Sequence, residues 1–156
     1  MKFIQEYKMF EFKRPIETVV GLLMLSKQTG RVFLVQRNDR NLYWSLLSGG
    51  QDLGEQDLET LRREMREELR VRSFDAIDIR PAGEELVGGG RRLFKLYFGI
   101  CQREFLPTLD DENISWGWFD PNGLSKVNGE HNFHGLPTRL YPGLREKIAR
   151  IYEENR

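Results

Sequence analysis

The stretch GGQDLGEQDLETLRREMREELRV carries Glu64, Glu67 and Glu68 within one turn of a predicted helix. Like charges at these spacings repel each other on a helix, at a cost of about 0.2 to 0.5 kcal/mol per pair. The residues three and four positions before Glu64 are uncharged, and those three and four positions after it are acidic. The helical wheel therefore gives Glu64 no basic partner, and a divalent cation would supply the missing positive charge.

The chemistry of these side chains indicates which cation they would bind. Carboxylates without His or Cys among them are hard oxygen ligands, which suit Mg²⁺ or Mn²⁺ rather than zinc. The glycines just upstream, Gly49 and Gly50, allow a close approach of the backbone to the acidic flank. Taken alone, the cluster fits equally well an acidic, solvated flank of an amphipathic helix.

The helix that carries these acids is predicted over Asp57 to Arg70. At about 100° per residue its acids occupy one flank and its arginines the other, so the charges are sorted rather than interleaved. The apolar side chains form a single stripe, which we expect to pack on a sheet, and they are Leu58, Leu61, Met65 and Leu69.

The spacing of the fixed positions resembles the Nudix box. Gly49 is followed after five residues by Glu55, and after seven more by the run REMREELRV, from Arg63 to Val71. Arg70 stands where the family has glycine, at a position where helices commonly end in the left-handed conformation. The lead-in WSLLSGG is similar to the family's Trp-any-Leu-Pro-Gly-Gly, with leucine and serine in place of proline and glycine.

The resemblance implies an α/β fold, namely an α/β/α sandwich with a mixed, partly barrel-like sheet. We expect residues 1–156 to form a single Nudix hydrolase domain. The implied reaction is attack of water at phosphorus, which cleaves a diphosphate linkage in a nucleoside diphosphate joined to another group. A nucleoside triphosphate, a dinucleoside polyphosphate or a nucleotide sugar would be such a substrate, and Mg²⁺ or Mn²⁺ the cofactor.

The resemblance also implies roles for the residues of the box. Glu64, Glu67 and Glu68 would be catalytic and bind the metal, with Glu67 and Glu68 as the favoured direct ligands. The backbone carbonyl of Ser48 could be a further ligand. Three residues would be structural. Gly49 would belong to the loop that precedes the helix, and an ion pair between Glu55 and Arg63 would orient that loop.

A further acid is expected outside the helix, because family members place the base either in the box helix or in a later loop. Glu112 lies six residues before Trp118, in a segment that resembles the family's later Trp-Phe strand preceded by an acidic residue. We predict that Glu112 is a metal ligand or the catalytic base. The alternative is that LDDEN forms an ordinary acidic turn.

Candidate substrate contacts come from other segments. Arg37 ends the predicted strand VFLVQR, from which a guanidinium could bind a phosphate bidentately. His134 could contact substrate or act as base, whereas a metal site made by His131 and His134 would lack a third ligand. Several aromatic side chains could stack on a nucleobase, with Tyr43 among them, and the set is Phe10, Phe12, Tyr43, Trp116, Phe133 and Tyr141.

The elements that must position these residues follow from the apolar pattern. ETVVGLLML and RVFLVQR flank SKQTG and predict a β-hairpin, and LYWSLLSGG predicts one short strand that ends at the glycines. Two further strands flank Gly88 to Gly90 and predict a second hairpin, and a short strand is expected at Trp116 to Phe119. Helical spacing of Leu144, Ile148 and Ile151 predicts a C-terminal helix.

Composition argues against several classes of protein. The chain has 24 basic and 24 acidic residues among 156, so no net field attracts it to nucleic acid or an anionic membrane. The N-terminal MKFIQEYKMFEFKRP lacks the apolar core of a signal peptide, and no apolar run is long enough to span a membrane. The single cysteine excludes an intrachain disulfide, which fits a cytoplasmic protein.

Alternative functions are distinguished by what each requires. An RNA 5′ pyrophosphohydrolase or decapping enzyme needs a basic path to the metals, for which the candidates are Lys13, Arg14, Arg91, Arg92 and Arg139. A non-catalytic, nucleotide-sensing Nudix-fold module would typically have lost box carboxylates, and here all are present. Alternating aromatics from Phe3 to Phe12 suggest an exposed strand that would pair in a homodimer.

Overall fold

The structure is a computed structural model that describes residues 16–124 and 139–155. A seven-stranded sheet lies between helices. The elements in chain order are β1 (Glu17–Ser26), β2 (Val32–Arg37), β3 (Trp44–Ser45), β4 (Leu47–Gly50), α1 (Asp57–Leu69), a 3-10 turn (Phe74–Ala76), β5 (Asp78–Val87), β6 (Arg92–Cys101), β7 (Asn113–Phe119), α2 (Pro121–Leu124) and α3 (Leu144–Glu154).

Strand β1 connects the two parts of the sheet. It runs parallel to β6 along its whole length, and antiparallel to β4 and to the start of β2. Strand β2 also pairs with β3 and β7, and β6 pairs with β5. The sheet is therefore mixed, as predicted, and in the described part of the chain its path from β3 to β5 does not close into a barrel.

The two faces of β1 belong to different cores because side chains alternate along a strand. Val20, Leu22 and Met24 pack in the cluster that contains Leu61, Met65 and Leu69 of α1. Leu23 packs in the opposite cluster, together with Leu144, Ile148 and Ile151 of α3. Helices thus cover both faces of the sheet, which confirms the predicted α/β/α sandwich.

Both predicted hairpins are present, as β1–β2 and β5–β6, and so are strand β7 and the C-terminal helix. The prediction of one strand over LYWSLLSGG is wrong. The chain changes partner within this segment, because β3 pairs with β2 whereas β4 pairs with β1. This change of partner brings Ser48 and the paired glycines alongside β1 rather than β2.

Helix α1 differs from the prediction at its first turn. Leu61, Met65 and Leu69 are fully buried, but Leu58 is 47% exposed, so its assignment to the packed stripe is wrong. The first turn is anchored by polar contacts instead, since Asp57 accepts hydrogen bonds from Gln51, Lys95 and Tyr97.

The last helical residue is Leu69, and Arg70 adopts the left-handed conformation with φ 56°. The amide of Arg70 donates to the carbonyl of Arg66, and the amide of Val71 donates to that of Met65, which closes the helix. Arg70 therefore adopts the left-handed conformation that glycine commonly adopts at the end of a helix. Among the described residues, no helix has the length and apolar character needed to cross a bilayer.

Candidate functional site

Three carboxylates from two parts of the chain meet beside the sheet. Glu64 and Glu68 come from α1, Glu112 comes from the loop before β7, and one oxygen of each lies within 4.8 Å of the others. Glu64 and Glu68 are buried, at 6% and 4% exposure, whereas Glu112 is exposed. We call Glu64, Glu68 and Glu112 the acidic triad.

The loop that carries Glu112 is fastened to the end of α1. The amide of Asp110 donates to the carbonyl of Glu68, and the amide of Thr108 donates to that of Leu69. These bonds satisfy carbonyls that the last turn of a helix leaves without intrahelical partners. They also place the loop acids over the carboxylate flank of α1.

Burial and mutual repulsion dominate the electrostatics of the triad. Burial, followed by a hydrogen bond with Glu112 and the charges of its acidic neighbours, raises the pKa of Glu68 to about 10. Burial also raises the pKa of Glu64, although the charge of Arg63 opposes the effect. Each side chain of the triad offers carboxylate oxygens as metal ligands, and ionised carboxylates at this distance repel each other. This combination fits a hard divalent cation such as Mg²⁺ or Mn²⁺.

Arg63 is the hub that connects the triad to the preceding loop. Its Nε and Nη2 donate to the two oxygens of Glu55, each at 2.9 Å, and Nη2 also donates to the carbonyl of Gly50 at 2.8 Å. Its Nη1 donates to Glu64 Oε1 at 2.8 Å. The prediction that Glu64 has no basic partner is therefore wrong, because the long side chain of the adjacent residue bends back to reach it.

Glu55 is held by more than Arg63. It also accepts hydrogen bonds from the amide of Asp52 at 2.9 Å and from the hydroxyl of Thr60 at 3.2 Å. These donors, with Arg63 the strongest, lower the pKa of Glu55 to about 2. The loop between β4 and α1 is thus tied down by a carboxylate that stays ionised at neutral pH.

Gly49 faces the buried carboxylate of Glu64 from strand β4. A Cβ on Gly49 would lie 2.1 Å from Glu64 Cδ, so the absence of a side chain there makes room for the triad. Ser48, the preceding residue, is half-buried and lines the cleft next to the triad.

Glu67 lies apart from the acidic triad. Its side chain is 57% exposed, and its Oε2 is 3.4 Å from Nη1 of Arg63, which lies four residues earlier on the helix. The structure thus brings together two of the three box acids and Glu112, and Glu67 is not part of this group.

A cleft of about 730 Å³ adjoins the triad, a volume within the range of small-molecule sites. Glu64 and Glu112 line it, and so does Arg37, whose Nε is 3.3 Å from Asp39 Oδ2. Tyr43 is absent from its lining, but the ring of Tyr43 contacts that of Tyr141, which does line it, with centroids 5.7 Å apart.

Sequence reasoning missed several residues of the cleft wall. They come from β1, β5, β6 and the start of α3, and they include Glu17, Glu85, Phe94, Leu144 and Lys147, whereas Arg92, predicted only as part of a basic path, also lines the cleft. Only the pairing of β1 with β6 and the packing of α3 bring them to one cleft, so no local motif marks them. His131, Phe133, His134 and the segment Phe3 to Phe12 lie outside the described residues.

Comparisons with known proteins agree with this architecture. The family model of the NUDIX domain matches residues 15–140. No curated protein matches the chain. Among solved structures, the Escherichia coli dihydroneopterin triphosphate pyrophosphohydrolase is 14% identical, with a TM-score of 0.66, covering 90% of this chain and 99% of that chain.

Two further structures share the fold at similarly low identity. A Caenorhabditis elegans Ap4A hydrolase binary complex is 16% identical, with a TM-score of 0.68, covering 88% of this chain and 97% of that one. The NUDIX domain of Shewanella oneidensis NrtR, complexed with ADP ribose, is 14% identical, with a TM-score of 0.71, covering 97% and 98%.

Proposed function

Because the chain belongs to the Nudix family, we propose that it is a metal-dependent pyrophosphohydrolase whose substrate is a nucleoside diphosphate joined to a further group. The observation that carries the proposal is the acidic triad at the wall of a cleft of nucleotide size. Structures of similar fold include proteins described as a dihydroneopterin triphosphate pyrophosphohydrolase and an Ap4A hydrolase. A nucleoside triphosphate, a dinucleoside polyphosphate or a nucleotide sugar is accordingly the substrate class that we propose here.

Each group of the site has a part in the proposed reaction. A cation at the triad would supply a hydroxide nucleophile at neutral pH and neutralise charge on the phosphate oxygens. Glu112 is exposed at the cleft, so it can accept the proton that the attacking water loses. A new P–O bond forms from the water oxygen, and the bridging P–O bond breaks with its electron pair on the leaving oxygen.

The remaining residues would position the substrate and the ligands. Arg37 can bind non-bridging phosphate oxygens from the wall of the cleft. Arg63 holds the Glu64 carboxylate, and Gly49 leaves the space for it. Glu67 and the carbonyl of Ser48 remain proposed as additional metal ligands. Tyr43 remains proposed as a substrate-binding residue, next to Tyr141 of the cleft wall.

Two alternatives receive less support. Binding of RNA would use basic side chains along the cleft, but Arg92 pairs with Glu17 and Arg139 lies over the ring of Tyr43. A module that only senses nucleotides would not need the triad.

The test is a substrate screen in Mg²⁺ with nucleoside triphosphates, dinucleoside polyphosphates, ADP-ribose and nucleotide sugars, with products read by chromatography. We expect turnover by the wild type and by Glu59→Gln, an exposed acid on the same helix, and none by Glu68→Gln. If the folded wild type converts none of them, the hydrolase proposal fails and nucleotide sensing replaces it.

Two proposals about the whole protein come from the sequence. A homodimer through the segment Phe3 to Phe12 should appear as doubled mass in light scattering and should be lost without residues 1–12. We also propose a cytoplasmic location, because a chain with a single cysteine has no intrachain disulfide that would require an oxidising compartment.

A further inference from the structure

Three side chains in another part of the cleft wall have no role in the proposed hydrolysis. They are Glu85 on β5, Phe94 on β6 and Lys147 on α3, and all of them line the cleft that adjoins the triad. Lys147 Nζ lies 2.6 Å from Glu85 Oε1 and 5.8 Å from the centroid of the Phe94 ring. The ammonium group thus lies over the Phe94 ring and next to the carboxylate, and an aromatic surface that carries a donor and an acceptor suits a flat, polar ring.

Phe94 supplies the apolar surface. Its ring lies against the backbone of β1, since a Cβ on Gly21 would be 2.7 Å from Phe94 Cζ. Phe94 is half-buried, so the ring is fixed by packing and still lines the cleft. Bases stack favourably on aromatic faces held in this way.

Glu85 and Lys147 supply the polar edge. Their side chains are 46% and 28% exposed, so both remain accessible from the cleft. The ammonium group offers donors only and the carboxylate offers acceptors only. A ligand ring that fits both groups presents, along one edge, an acceptor for Lys147 next to donors for Glu85.

Guanine is the common base whose edge fits best. It carries the acceptor O6 beside two donors, N1–H and the 2-amino group, so Lys147 can donate to O6 while the carboxylate of Glu85 accepts from both donors. Adenine has a single donor group at the corresponding edge and can satisfy only part of this arrangement. Uracil would place a carbonyl oxygen against the carboxylate, which is repulsive.

We propose that Phe94, Glu85 and Lys147 form a base subsite that favours guanine nucleotides. The inference deepens the proposed function, because the same cleft would hold the base at this subsite and the phosphates near the triad. The alternative is that the ion pair of Lys147 with Glu85 only holds α3 against β5, and a structural pair of this kind would not distinguish between bases.

The test measures equilibrium binding of GMP, IMP, AMP and UMP by calorimetry, with and without Mg²⁺. Monophosphates contain no diphosphate bond, so the readout is independent of turnover. We expect GMP to bind roughly tenfold or more tightly than AMP, with IMP between them because it lacks the 2-amino group. UMP should bind most weakly.

Glu85→Gln should remove most of the preference for GMP and leave the affinity for AMP within about twofold. Glu146→Gln, an exposed acid next to Lys147 on the same helix, is the matched control and should keep the preference. Equal binding of GMP and AMP, no binding of either, or a preference that survives in Glu85→Gln would each overturn the subsite. Turnover of GTP and ATP at equal kcat/KM would also overturn it, while leaving the hydrolase proposal intact.

Discussion

The backbone of Gly49 lies so close to the carboxylate of Glu64 that a Cβ on Gly49 would be 2.1 Å from Glu64 Cδ. Glu64 is buried and fixed by Arg63, so it cannot move aside without breaking that ion pair. The fixed glycine of the box is therefore required here by space, within strand β4, rather than by an unusual backbone angle.

Gly49→Ala should displace the Glu64 carboxylate. We expect the free energy of unfolding to fall by about 1 to 3 kcal/mol, as for other insertions into packed sites. Catalytic turnover should fall about 100-fold, since small displacements in an active site have effects of this size. Gly50→Ala is the matched control, because a Cβ on Gly50 meets nothing within 4 Å. Equal activity of the two variants would contradict the steric role of Gly49.

Glu68→Gln should make the cation-free protein more stable at alkaline pH. Between the ordinary glutamate pKa and the folded pKa of about 10, the folded state binds more protons than the unfolded state. Stability of the wild type in EDTA should therefore fall as the pH rises from 6 to 9, and the variant should show a shallower fall, because the raised pKa of Glu64 contributes the remainder.

In the same experiment at pH 8, the variant should exceed the wild type by at least about 1 kcal/mol in EDTA. Mg²⁺ should raise the melting temperature of the wild type and leave that of Glu68→Gln almost unchanged. Denaturant unfolding across the pH series measures both effects. An identical Mg²⁺ response in the two proteins would remove Glu68 from the metal site.

Glu55→Gln should change how the free energy of unfolding depends on pH in acid. The folded pKa of Glu55 is about 2, below its unfolded value. Its stabilising contribution is therefore fully present above the unfolded pKa and is lost as the pH falls through about 2. The variant should be less stable at pH 7 and show a shallower loss between about pH 4.5 and 2. Glu59→Gln should behave as the wild type, and a wild-type slope in Glu55→Gln would refute the assignment.

Arg70→Gly should stabilise the protein. Arg70 is exposed and left-handed, a conformation that costs a non-glycine residue about 1 kcal/mol. After the greater flexibility of glycine in the unfolded chain is allowed for, we expect a gain of about 0.5 kcal/mol. Arg66→Gly, at an exposed position inside α1, should instead destabilise by about 1 kcal/mol. A loss of stability in Arg70→Gly would mean that the arginine side chain contributes more than its backbone costs.

The sequence predicted the parts of the site that depend on short-range geometry. Helical periodicity placed Glu64 and Glu68 on one flank, and helices α1 and α3 and both hairpins followed from local patterns, whereas the short helix α2 was not predicted. The helical wheel did not predict the contact of Arg63 with Glu64, because that contact joins adjacent residues through a flexible side chain. Phe94 and Lys147 were unpredictable for another reason, since only the parallel pairing of β1 with β6 and the docking of α3 place them together.

Asn38 fastens the loop that carries Glu112. Its backbone N–H donates to the backbone carbonyl of Glu112 at 2.8 Å, and its side-chain Nδ2 donates to the backbone carbonyl of Asp111 at 3.0 Å. Both bonds act on the backbone of the loop, just after the irregularity in the pairing of β2 with β7. We therefore expect Asn38 to act as a positioning residue for the acidic triad.

Asn38→Ala removes the side-chain bond and keeps the backbone bond. We expect kcat to fall about tenfold with KM nearly unchanged, because Glu112 is misplaced while the rest of the cleft is intact. The free energy of unfolding should fall by only about 1 kcal/mol, the usual contribution of one hydrogen bond. Asn41→Ala, an exposed asparagine in the following turn, is the control and should leave kcat unchanged. If Asn38→Ala raises KM instead, Asn38 contacts substrate and does not act through Glu112. If Asn38→Ala changes neither constant, the side-chain bond is dispensable and the backbone pairing alone holds the loop in place.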